Sequence, residues 1–156
     1  MPPNDEPARE ILALGRFMSP PAADTLVRAL ARLFDLDWNF RIVANPEWHD
    51  AQPRSTADAL GVAARVTFAA VPDWDTAHLF ACAAEPPDLD LAAAEAFRHG
   101  LPVIAMALAP GAHITPENGV VCPPGDVEQL SKAIRRLVFD AALRDDFAAA
   151  ARATSL

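Results

Sequence analysis

Short apolar runs alternate along this chain with longer stretches whose apolar residues recur at helical spacing, and no other feature restricts the fold as much. Residues 11–14 (ILAL), 40–44 (FRIVA), 65–69 (RVTFA), 79–83 (LFACA), 102–107 (PVIAMA) and 119–122 (GVVC) read as strands. Between the first two, Leu26, Val27, Leu30, Leu33 and Phe34 mark an amphipathic helix, with Asp24 read as its N-cap. Pro20 and Pro21 assign the preceding GRFMSPPA to a loop. A short helix over 55–60 is ended by Gly61, and a shrunken one is expected over 73–78. Asp90 is read as the cap of a helix over 91–99 that Gly100 closes. Asp126 with Gln129 approximates a capping box ahead of Leu130, Ala133, Ile134, Leu137 and Val138, and an alanine-rich helix over 141–153 ends the pattern.

Strands separated by helices predict an α/β, Rossmann-like three-layer domain, with about six mostly parallel strands and helices on both faces. Residues 1–10 form a polar lead-in and 11–156 a single domain. A chain of 156 residues buries about two-thirds of its unfolded surface without help from metals or disulfides. In such sheets ligands settle beyond the C-terminal strand ends, which directs attention to loops 15–23, 45–54, 84–90 and 108–118.

The net charge of −8 argues against nucleic acid and against a grip on anionic membrane. The longest apolar run, 101–109, is about half of a bilayer span and contains Pro102. The opening MPPNDEPARE has no cationic start and no apolar core, so it is not read as a signal peptide, and the chain is expected to be soluble and cytoplasmic. Cys82 and Cys122 read as buried thiols rather than a disulfide.

GxGxxG, a phosphate loop ending in GK[ST] and the GxSxG elbow are all absent. His49, His78, His99 and His113 lack paired metal-ligand spacing, so no metal, cofactor or catalytic residue is assigned. Trp38, Trp48 and Trp74 are read as partly buried at element starts; exposed together, they would mark an interface.

Two residues remain as candidates. Arg16 follows the first strand, where its planar donors can fork onto a phosphate, although an arginine there is ordinarily a surface residue. Glu95 lies within an alanine-rich helix, where a glutamate is ordinarily just solvated.

In order and spacing, ILALGRF, the helix after it, RVTF, EAFRHGLPVIA, NGVVCPPGD and the closing amphipathic helix resemble the C-terminal half of retaining glycosyltransferases of the two-domain GT-B architecture. The closest group is family 4, the "glycosyl transferases group 1" class, over residues 11–153. The resemblance implies a half that binds a UDP-, GDP- or ADP-linked sugar. In that family an arginine and a following lysine hold the diphosphate; Arg16 matches the arginine, while the lysine position falls on Pro21. Of the family's two glutamates, Glu95 matches the second, the ribose ligand, and the first falls on Pro87. The glycine-rich turn between them reads Asp88-Leu89-Asp90, and the loop after the fifth strand keeps only Gly111 of a double glycine. These four are secondary donor contacts by resemblance, and Arg54 or Arg98 are stand-ins for the missing cation.

Aspartates at the helix mouth set like charge against a pyrophosphate. At about 4–6 Å in a partly buried site this costs on the order of a few kcal/mol. The helix dipole returns only about 0.3–1 kcal/mol. The resemblance therefore implies a donor-binding half, incomplete alone, since the half that carries the acceptor site is not matched. An alternative is a catalytically inactive module that binds a partner, either a second chain or another copy. A third reading is a different small ligand in the same crevice.

Overall fold

A computed structural model of the chain describes residues 9–43 and 52–154. The strands are β1 (Arg9–Leu14), β2 (Trp38–Val43), β3 (Val66–Ala69), β4 (Leu79–Ala83), β5 (Val103–Met106) and β6 (Gly119–Cys122). The helices are α1 (Pro20–Ala31), α2 (Gln52–Ala59), α3 (Asp88–Arg98), α4 (Val127–Phe139) and α5 (Ala141–Ala153). The strands form one sheet in the order β3-β2-β1-β4-β5-β6, and every pairing is parallel. The expected Rossmann-like α/β architecture is therefore present.

Strand alternation divides the core into two layers. Ile11, Ala13, Phe40, Ile42, Leu79 and Ala81 face α1, α2 and α4. Their neighbours Leu12, Phe80 and Cys82, with Val103 and Ala105, face α3 and the end of α5. A sheet covered on both faces needs apolar residues at consecutive positions, which is why the runs at the central strands β1, β4 and β5 are continuous, while β2 and β3 toward one edge alternate. Cys82 and Cys122 are buried free thiols, one in each layer.

Several boundaries differ from the sequence reading, each for a local reason. Helix α1 begins at Pro20, because proline's fixed φ suits the first helical turn and its missing N–H is not needed there. Ser19 is the cap, accepting from the Ala22 amide at 3.3 Å. Asp24 is thus inside the helix and buried, where it accepts hydrogen bonds from Arg28 Nε at 2.9 Å and from the Thr56 hydroxyl. That links α1 to α2. Helix α3 begins at Asp88, so Asp90 is its third residue and not its cap. Residues 74–76 form a turn pinned by Asp73 rather than a shrunken helix.

Asp126 and Asp140 cap α4 and α5, each accepting at 3.0 Å from an amide in the first turn. Trp38 is fully buried and donates from Nε1 to the Leu33 carbonyl at 2.9 Å. Trp74 is half-buried, stacked between His99 (4.1 Å) and Phe80 (5.8 Å). Trp48, His49 and most of loop 45–54 lie outside the described residues. No helix among the described residues is long and apolar enough to cross a membrane.

Candidate functional site

Strand order reverses between β1 and β4, so the loops leaving these strands diverge and leave a crevice beyond their C-terminal ends. Ser19, the cap of α1, with Pro21 and Thr25 of that helix line it on one side, Ala84 and Glu85 on another, and Met106 and Pro124 on a third. Its volume is about 510 Å³. Among the described residues no lysine, arginine or histidine lines it, and Glu85 is its one charged side chain. A larger groove of about 570 Å³ runs along the free edge of β6, past Ile114, Val121 and Phe147. It is away from the strand ends where this topology seats ligands.

Arg16 leaves β1 as expected, within a single 3-10 turn over Gly15–Phe17 that touches α3. Its guanidinium is exposed and lies 4.5 Å from the centre of the Phe17 ring, whose other face is in the core. At the adjoining mouth of α1, Pro20 and Pro21 have no N–H. The next two amides, of Ala22 and Ala23, donate to the hydroxyl and carbonyl of Ser19. All four amides of that first turn are thus missing or occupied.

The mouth of α3 is arranged differently, with no side chain capping its own amides. Asp90 Oδ1 accepts from the Ala112 amide at 2.9 Å, and Glu85 Oε1 accepts from the Leu108 amide at 3.0 Å. These two carboxylates bind the loop that follows β5, Asp90 from the first turn of α3 and Glu85 from the segment before it. Gly111 makes the closure possible: its φ is +71°, and a Cβ there would meet Asp90 Oδ1 at 2.6 Å and Leu89 Cδ2 at 3.4 Å. Leu89 is fully buried, and its amide donates to the Glu85 carbonyl at 3.1 Å. Asp88 remains exposed in the same turn.

Leu89, Asp90 and Gly111, named from the sequence, therefore lie together. Glu95 sits two turns further along α3, where Arg98 Nη1 donates to its Oε2 at 3.0 Å and His99 Nε2 lies 3.8 Å from Oε1. The other stand-in cation, Arg54, lies 4.0 Å over the Phe68 ring. Glu85 was not singled out in the sequence. A carboxylate directly after a strand at the reversal point was the available signal, but its partner is 23 residues away.

No group of His, Cys, Asp and Glu among the described residues is arranged to hold a metal. Burial pushes the Cys82 thiol up to about 12 and also raises Cys122, so neither is a ready nucleophile. His78 Nδ1 accepts from the Glu10 amide at 3.0 Å, at the opposite end of the strands from the crevice.

The model of the glycosyl transferases group 1 family matches residues 8–140. Among solved structures the chain is similar to a sucrose-phosphate synthase from Thermosynechococcus elongatus, with 28% identity and a TM-score of 0.77 over 97% of this chain and 41% of that one. It is similar to the C-terminal domain of a glycosyl transferase group 1 family protein from Francisella tularensis, with 20% identity and a TM-score of 0.75 over 93% of this chain and 83% of that one. An Anabaena protein solved in complex with UDP and glucose matches at 23% identity and a TM-score of 0.76, over 93% of this chain and 43% of that one. The chain thus spans less than half the length of the synthase and of the Anabaena protein. No curated protein sequence matches it.

Proposed function

Because the chain belongs to the glycosyl transferases group 1 family and has the fold of the C-terminal half of GT-B enzymes, we propose that it is a glycosyltransferase-like, donor-half domain whose phosphate grip has been replaced by internal contacts. It acts as a partner-binding module, through a second protein chain or another copy of itself. The observation that carries this reading is the pair of carboxylates, Asp90 and Glu85, on the amides of Ala112 and Leu108. Backbone amides beyond strand ends are what an anionic ligand would use, and here the chain's own anions hold them.

Transfer from a nucleotide sugar requires positive charge on the departing diphosphate. Among the described residues Arg16 is the one candidate at the reversal point, and Pro21 and Pro87 offer neither charge nor amide. An incoming diphosphate must either displace Asp90 and Glu85 or sit beside them. Displacement leaves two carboxylates without their amides, and coexistence sets like charges a few ångströms apart, so both routes are unfavourable.

A second reading is the donor-binding half of a divided enzyme, and two features favour it. Arg16 is exposed, and Glu95 keeps the family's order on α3. Titration by calorimetry or NMR with UDP, GDP, ADP and their sugars separates the two. The module reading expects no binding tighter than about millimolar, given the acidic first turn of α3. Micromolar binding that Arg16→Ala or Glu95→Ala abolishes would establish the donor half instead.

A further inference from the structure

The crevice is sized for a small molecule, at about 510 Å³. Pro21, Ala22, Ala83, Ala84, Met106 and Pro124 make its surface mainly apolar. Its polar groups are few, and each has capacity left over. Glu85 has given Oε1 to the Leu108 amide at 3.0 Å, which leaves Oε2 to accept from a ligand. The Thr25 hydroxyl proton goes to the Pro21 carbonyl at 3.1 Å, so its oxygen can still accept. The Ser19 hydroxyl oxygen accepts from Ala22 and keeps its proton to donate. The nearest guanidinium by sequence, Arg16, lies on Phe17 rather than among the lining residues.

Three kinds of guest can be compared on these terms. An anion would meet Glu85 with no counter-charge among the described lining residues. A neutral apolar molecule would cover a carboxylate without pairing it, which is unfavourable. A cation on an apolar body covers the apolar wall and pairs the carboxylate in one act, and the chain's net charge of −8 attracts it from solution. Its N–H groups match the two free acceptors, on Glu85 and Thr25.

We propose that this crevice binds an organic ammonium, a primary amine carried on an apolar body. The inference rests on the reading that the phosphate grip is gone, and its test tells the two apart.

Four probes share one body and differ in the head: 4-phenylbutylamine, 4-phenylbutan-1-ol, 5-phenylpentanoate and 4-phenylbutyl phosphate. Each is titrated into the isotope-labelled full chain and followed through backbone amide shifts. The amine binds tightest and moves Thr25, Ala84 and Leu108, with the alcohol about fivefold weaker and both anions weaker still. In Glu85→Gln, whose side-chain oxygen still accepts from Leu108, amine and alcohol become equal. Ala84→Phe fills the space and removes both.

Equal binding of amine and alcohol to the unaltered chain overturns the inference, as does an amine preference that survives Glu85→Gln. Failure of every probe to bind also overturns it. These three results leave the module reading intact. Tightest binding by the phosphate overturns both.

Discussion

At the mouth of α1 the helix's own anion-binding donors are missing or occupied, whereas at the mouth of α3 carboxylates answer the amides of the facing loop. Pro20 and Pro21 lack N–H groups, and Ser19 takes the two amides that follow. At α3, Asp90 and Glu85 reach across to the loop after β5 and hold its amides with charge. The first closure is local, half of it covalent in the two prolines and half a neutral cap from Ser19, so it carries no charge to remove. The second is an electrostatic contact between distant parts of the chain, so one neutralising substitution can loosen it. The two mouths flank one crevice, yet only the second can be reopened.

The largest effect is expected from Gly111→Ala. The substitution strains a residue at φ +71° and drives a methyl group to 2.6 Å from Asp90 Oδ1. A loss of about 2–3 kcal/mol in urea unfolding is expected. Combined with Asp90→Ala, which removes the clash, the total falls short of the sum of the two single losses. Strict additivity would mean that the α3 closure does not depend on this approach.

Ser19→Ala tests the other mouth. Loss of the cap on α1 costs about 1 kcal/mol. Inorganic pyrophosphate should bind no better afterwards, because the one amide released adjoins two prolines. A gain in pyrophosphate affinity would contradict the claim that the two prolines alone keep this mouth from binding an anion.

Asp90→Asn keeps an acceptor for the Ala112 amide and removes the charge. Stability changes little, while pyrophosphate affinity rises about fivefold. Unchanged affinity would show that charge at α3 is not what excludes anions.

The smallest effect lies far from both mouths and serves as their control. Burial, with Arg9 and Arg144 nearby, holds the His78 imidazole below its ordinary value of 6.5, while Glu10 opposes this weakly. Its neutral form accepts from the Glu10 amide. The resulting stability is complete above pH 6.5 and is lost as pH falls below that value, because the unfolded chain then binds the proton more readily. The melting temperature should drop modestly between pH 7 and pH 5.5, and His78→Asn should flatten the profile. Pyrophosphate affinity of Asp90→Asn relative to the unaltered chain should be the same in His78→Asn.

Elements defined by neighbouring residues were legible in the sequence. The continuous apolar runs of β4 and β6 gave strands with the observed bounds, and Asp126 announced α4 through an amide three residues on. The start of α1 was misplaced because proline was weighed as a breaker and not as a first-turn residue. Asp24 and Asp90 have the chemistry of caps, but tertiary partners claimed them: Thr56 for one and Ala112 for the other. Contacts between residues 22 or 32 positions apart leave no local pattern. The acidity of the α3 mouth could be read, whereas its bonding to the loop after β5 could not.

Each side of the sheet also holds its own sulfhydryl, Cys82 under α3 and Cys122 beneath α4. With the first raised to about 12 by burial, alkylating reagents must wait for transient opening before they react. The two labelling rates are then separate internal clocks, one for each layer. They would report which side breathes first when a guest arrives, with no dye or engineered tag.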